Sequence, residues 1–126
     1  MKPERDIRYE RTGDLLVRTV VTAKTRYRHT CTVAVLETTA HAIDEDRAGG
    51  GRGLTLTLIA EAEGLPYTQV NVALEFMKER GCVNVVFGRR SVPASCFLTE
   101  DGLIEFHALP SVTVPKDPSR RPEPPA

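Results

Sequence analysis

Residues 54–83 read LTLTLIAEAEGLPYTQVNVALEFMKERGCV, and the punctuation of that stretch sets the architecture around it. Thr55 is a helix start signal, since its hydroxyl can accept from a first-turn amide, and Leu56, Ile59 and Ala60 follow at helical spacing. Gly64 stands just past the last turn, where a residue without Cβ closes a helix in the left-handed conformation at little cost. Leu65 re-enters the core, Pro66 suits the first turn of a second helix, and Val70, Ala73, Leu74 and Met77 recur at i, i+3, i+4 and i+7. Gly81 stops that helix, and Cys82 and Val83 continue as apolar chain. Two short helices joined by a tight turn are the expected result.

The flanks extend the pattern. Asn84, Val85, Val86 and Phe87, a polar tip at Gly88, Arg89, Arg90 and Ser91, and a second run over 92–98 predict a β-hairpin. Thr99 then reads as an N-cap, with Glu100 and Asp101 favourably placed against the helix dipole, and Leu103, Ile104, Phe106 and Leu109 predict a closing helix. Upstream, residues 30–46 place Val33, Leu36, Ala40 and Ile43 on one stripe, with Glu37, Asp44, Glu45 and Asp46 outside it. The glycine-rich run 47–53 reads as a flexible loop. It lacks the GK[ST] ending of a phosphate loop and leaves a helix, not a strand.

The order helix, helix, hairpin, helix resembles the winged helix-turn-helix family, especially small bacterial regulators of the MarR and PadR kind. The resemblance spans roughly residues 28–109 and rests on LTLTLIAEAEGLP, the TQV step at 68–70, ALEFMKERGCV and the FLTEDGL phrase at 97–103. It implies an α+β, mainly α domain: a three-helix core, a β-hairpin wing and a C-terminal helix. It also implies sequence-specific binding of double-stranded DNA by a homodimeric transcriptional regulator, the second helix of the pair entering the major groove while wing arginines hold phosphate. Two positions depart from the family pattern. Val72 stands where a polar residue is common on the DNA side, and Leu58 where a Glu usually completes the capping box begun at Thr55. Apolar residues there favour a protein contact.

With Val70, Ala73, Leu74 and Met77 turned inward at 100° per residue, Thr68, Asn71, Val72, Glu75 and Glu79 are expected outward, flanked by Gln69 and Phe76. Gln69 and Asn71 are the expected base readers, because a side-chain amide can bond an adenine edge bidentately. Tyr67 and Thr68, near the helix start, suit phosphates. Glu75 would repel DNA unless it accepts from a cytosine amino group, and Val72 and Lys78 complete the DNA-facing set with Arg89 and Arg90 on the wing. Each role has a plainer rival: Gln69 as a turn cap, Tyr67 packed on the hairpin.

The segment before the core, 1–27, is a basic arm or strand. Leu15, Val17, Thr19 and Val21 alternate, and their β-branched density favours strand over helix. Arg18, Lys24, Arg26 and Arg28 fall where no acid occurs between Asp14 and Glu37, so they are candidate DNA-backbone contacts. The rival reading is a solvated strand edge whose charges discourage aggregation. Charge balance is lukewarm for DNA: 17 basic and 17 acidic residues give the chain no net charge. Within 54–109, Lys78, Arg80, Arg89 and Arg90 face seven acids, a net of 4 − 7 = −3. A winged-helix protein-interaction module without direct DNA readout is therefore the alternative.

Length fits one small domain that a homodimer would help to stabilise. No run approaches a bilayer span and the charged N-terminus lacks a signal-peptide core, so a cytoplasmic protein with no membrane partner is expected. Cys31, Cys82 and Cys96 show no CxxC spacing and read as reduced thiols, with a Cys82–Cys96 redox pair the minor alternative. His29, His41 and His107 lack partners at ligand spacing, so neither metal nor cofactor is expected. No nucleophile, base and orienter converge, which argues against an enzyme. Six of the nine prolines lie in 110–126, an expected disordered tail.

Overall fold

The computed structural model describes residues 5–111. The proline-rich segment beyond Ser111 and residues 1–4 lie outside the described residues. The chain forms β1 (Arg5–Thr12), β2 (Leu15–Thr22), β3 (Arg26–Thr32), α1 (Val33–Ala48), α2 (Leu56–Glu63), α3 (Tyr67–Glu79), β4 (Val83–Val86), β5 (Arg90–Pro93) and α4 (Leu98–His107). It is an α+β fold with a three-stranded antiparallel sheet, β1-β2-β3, and a two-stranded one, β4-β5, among the described residues.

Local signals act where the sequence places them. Thr55 Oγ1 accepts from the Leu58 amide and caps α2, and Gly64 closes it at φ 65°, ψ 37°. Pro66 sits one position earlier than expected, at the N-cap of α3, with extended backbone. The closing helix starts at Leu98, so Thr99 is inside it. Its amide and hydroxyl both donate to Asp44 Oδ2 of α1, at 3.0 and 2.8 Å. A carboxylate from another helix thus satisfies the Thr99 amide in the first turn of α4, and the hydroxyl expected to accept as a cap donates to it instead.

The N-terminal third departs most from expectation. The strand expected over 15–22 is present, but it is the centre of a sheet, and the boundary drawn at 27/28 falls inside β3. Helix α1 consequently begins at Val33, three residues late, where Thr32 Oγ1 accepts from the Val35 amide. Cross-strand partners share a face, so Tyr9, Arg18 and His29 form one row and Leu16 and Cys31 lie in the next row of the same face. Leu16 and Cys31 belong to the main core, and Tyr9 packs its ring on Phe76 with centroids 5.3 Å apart.

That packing places α3 between two layers. It meets α1 and α2 on one side and β3 on another, so its buried arc includes Val72 and Phe76 as well as Val70, Ala73, Leu74 and Met77. Burying two more large apolar side chains contributes roughly 1.5–3 kcal/mol each, ample reason for the sheet to dock there. The hairpin is fixed along β5, near its turn, by the loop before α2. Leu54 and Ser91 exchange both backbone hydrogen bonds, at 3.1 and 2.7 Å, and Gly53 donates to Asp46 Oδ2 while accepting from Arg90 Nη1. The glycine-rich run is thus tied down at its end.

Candidate functional site

The exposed surface of α3 is a strip about 120° wide, since Tyr67, Thr68, Asn71, Glu75, Lys78 and Glu79 fall in that arc at 100° per residue. Beside it, the start of α2, one flank of α3 and the β4–β5 hairpin enclose a groove of ≈ 570 Å³. Thr55, Leu56 and Thr57 form its head, Tyr67, Asn71, Leu74, Glu75 and Lys78 one wall, and Val83, Val85, Gly88, Arg89 and Ser91 the other.

Five of the expected α3 contacts therefore share one accessible strip: Tyr67, Thr68, Asn71, Glu75 and Lys78, of which all but Thr68 line the groove. Tyr67 is 56 % exposed and does not pack away against the hairpin. Lys78 Nζ lies 3.1 Å from Glu75 Oε2, so the one cation on the helix wall is shared with the acid beside it. Arg89 stands on the opposite wall, exposed, in the left-handed conformation at φ 59°. The start of α2 forms the head of the groove, at the end of the helix where its dipole favours negative charge.

Four expected contacts are turned elsewhere. Val72 is wholly buried, because the three-stranded sheet covers the side of α3 that an isolated helix-turn-helix would leave open. Gln69 is committed by its Oε1, which accepts from the Thr32 amide at 3.2 Å and satisfies the chain where β3 turns into α1. Arg90 belongs to strand β5 and not to the hairpin tip; its Nη1 donates 3.0 Å to Gly53 O. Arg18, 7 % exposed, lies on the inner sheet face with its Nε donating to Tyr9 Oη at 3.2 Å. Phe76, expected at the margin of the outward face, is likewise wholly buried. Lys24, Arg26 and Arg28 are exposed, Lys24 in the β2–β3 turn and the two arginines on the outer face of β3, opposite Val21 and Thr19.

Burial raises the pKa of the Tyr9 phenol, against the opposing pull of the Arg18 guanidinium, which keeps that pair neutral-acceptor to cation at physiological pH. Burial likewise pushes the Cys31 thiol up to about 12 and raises that of Cys82, where Glu105 and Asp101 add to the effect. Both are poor nucleophiles. Among the described residues no three of His, Cys, Asp or Glu gather to hold a metal ion, and no helix is long and apolar enough to cross a membrane.

The sequence reading missed the α2 start as part of the site, and it missed Phe87. That residue was assigned to a strand, but pairing ends at Val86 and Arg90, leaving Phe87, Gly88 and Arg89 as the turn. Phe87 is 98 % exposed. The signal was present in Gly88, whose φ of 81° makes it the turn residue and its predecessor the tip. Comparison of the chain with known protein families, curated proteins and solved structures yields no match.

Proposed function

We propose that this is a winged-helix domain that binds double-stranded DNA, working as a homodimeric, sequence-specific regulator of transcription. The observation that carries the reading is the juxtaposition of the α3 strip with a hairpin that bears Arg89 and contains no acid from Val83 to Pro93, in a core that is otherwise acidic. In this reading α3 enters the major groove by its exposed strip and the hairpin is the wing. Asn71 is the base reader, its amide matching an adenine edge, and Tyr67 and Thr68 at the helix start hold phosphate. Glu75 selects against phosphate at the centre of the strip and accepts from a cytosine amino group; contact there frees Lys78 for the backbone. The exposed Lys24, Arg26 and Arg28 supply sequence-independent attraction.

Anisotropy of a labelled duplex tests this. Binding is expected at about 50 mM salt, where even non-specific binders respond, and Arg89→Ala should flatten the salt slope by about one unit. Asn71→Ala should relax discrimination at one base pair by about 1–3 kcal/mol without changing that slope. Absence of duplex affinity at low salt overturns the reading.

A second reading has its own support. Leu58, Tyr67, Val85, Val86 and Phe87 are all exposed large apolar side chains on α2, α3 and the hairpin. A winged-helix protein-interaction module would use them against a partner protein. It requires a stable heteromeric complex insensitive to Arg89→Ala.

A further inference from the structure

A phenylalanine with 98 % of its surface in solvent does nothing for folding, yet Phe87 is held out by a well-specified device. The β4–β5 pairing runs up to Val86 opposite Arg90, and Gly88 and Arg89 follow Phe87 in consecutive left-handed conformations, at φ 81° and 59°. Positive φ within a short hairpin loop returns the chain in a sense compatible with strand twist. An arginine there is a cost that glycine or asparagine would avoid. Next to the turn, β5 is equally fixed, through the Leu54–Ser91 bonds, the Arg90–Gly53 bond and the Asp46–Gly53 bond. The turn thus carries an aromatic ring and a guanidinium two residues apart, on a strand anchored by the loop before α2.

We propose that Phe87 is a wedge that inserts between stacked base pairs from the minor groove, with Arg89 held against the flanking phosphates or groove floor. The proposal rests on the DNA reading above and adds to it a deformation of the duplex. Charge favours DNA over an apolar protein pocket as the occupant. No acid stands between Glu79 and Glu100 in the sequence, so the hairpin itself carries only positive charge, with Glu75 the acid on the facing wall of the groove. Apolar wedges of this kind unstack a step and kink the duplex toward the major groove, and pyrimidine–purine steps such as TA yield most readily. The wedge therefore confers a preference for alternating A·T sequence over a stiff A-tract, with no base-edge hydrogen bond involved.

The experiment uses the full chain, an alternating A·T duplex carrying 2-aminopurine at TA steps, and an A-tract duplex with the same label. Anisotropy reads binding, and 2-aminopurine emission reads unstacking. Saturation with the native chain should raise emission on the alternating duplex and leave the A-tract little changed. Phe87→Ala should bind the alternating duplex ~10-fold more weakly, the scale of one lost base–aromatic stack, with emission at the free-duplex level. Phe87→Trp should restore both. Because Phe87 touches no core, thermal melting of Phe87→Ala should match the native chain, which separates the effect from misfolding. Binding without any rise in emission, or a rise that persists in Phe87→Ala, overturns the wedge and leaves DNA binding standing. No binding to either duplex overturns the DNA reading and the wedge with it. A partner protein whose capture is lost in Phe87→Ala, in a chain that leaves duplex stacking intact, assigns the ring to a protein pocket instead.

Discussion

Gln69→Ala separates a base reader from a structural residue, because the two roles move different observables. In the structure Gln69 Oε1 accepts from the backbone amide of Thr32 at 3.2 Å, at the junction of β3 and α1. Deleting the side chain leaves that part-buried amide without its partner, which costs about 1–3 kcal/mol. The better helix propensity of alanine returns a few tenths of a kcal/mol. A net loss of about 1–2 kcal/mol follows, the lower end applying if water reaches the amide. The described span of 107 residues, 5–111, has an unfolding entropy near 0.22 kcal/mol/K at ~2.1 cal/mol/K per residue, so Tm should fall by roughly 4–9 °C. Differential scanning calorimetry or circular dichroism melts read this directly. Gln69→Glu should retain most of the native Tm, since a carboxylate oxygen can accept the same bond. In anisotropy the alanine variant, measured well below its Tm, should keep the native preference among duplexes. A variant with unchanged Tm and lost sequence preference would refute the argument, and would return Gln69 to the DNA-facing set.

Two further outcomes follow from the packing. Gly53 has φ 109°, and a Cβ there would stand 2.9 Å from Arg90 Cβ, Ser91 O and Val92 Cγ1, so Gly53→Ala should destabilise by about 2–4 kcal/mol in urea titration. Gly13→Ala, with φ 60° and open space around it, should cost only about 1 kcal/mol, so similar costs at both sites would contradict the close approach of the loop to β5. The Cys31 thiol, pushed up from 9.0 to about 12 by burial, stays protonated in the folded chain where the unfolded chain ionises. Its contribution to stability is therefore fully present below pH about 9 and is lost as pH rises toward about 12. Urea midpoints should fall with pH above about 9 more steeply in the native chain than in Cys31→Ala, and equal slopes would refute the assignment.

Much of the helical framework was legible because its signals are local. Thr55 and Gly64 do at α2 what their side chains dictate within four residues, and Gly81 ends α3 at φ 76° for the same reason. What escaped were consequences of distant pairing. β1, RDIRYERT, carries charge on both sides of Ile7 and Tyr9, and nothing within eight residues says that Tyr9 will meet Phe76. β3 has a local signal as well: Tyr27, His29 and Cys31 alternate with Arg26, Arg28 and Thr30, and that period of two marks a strand. The expected helix start at Thr30 overrode it.

The orientation of Val72 shows how one missed sheet changes a functional reading. On an isolated helix pair, an apolar residue at that position is either a protein contact or an oddity in a DNA reader. With β3 against α3 it is neither, because it is core. The same sheet takes Gln69 and Arg18 out of solvent contact with a ligand, through Thr32 and Tyr9. It therefore narrows the exposed strip to residues where Glu75 and Glu79 offset Lys78, leaving the helix itself without net attraction for a polyanion. In the proposed DNA reading, electrostatic affinity comes from groups outside that strip: Arg89 on the hairpin, Lys24 in the β2–β3 turn and Arg26 and Arg28 on β3. In the proposed reading, Arg89 is the exposed guanidinium and Phe87 the exposed aromatic ring among the described residues of the hairpin, since Arg90 donates to Gly53, and contact with a duplex would draw on stacking as well as on charge. Such a binder should lose affinity with salt less steeply than a reader with an arginine-rich helix, while depending more on how readily the duplex unstacks.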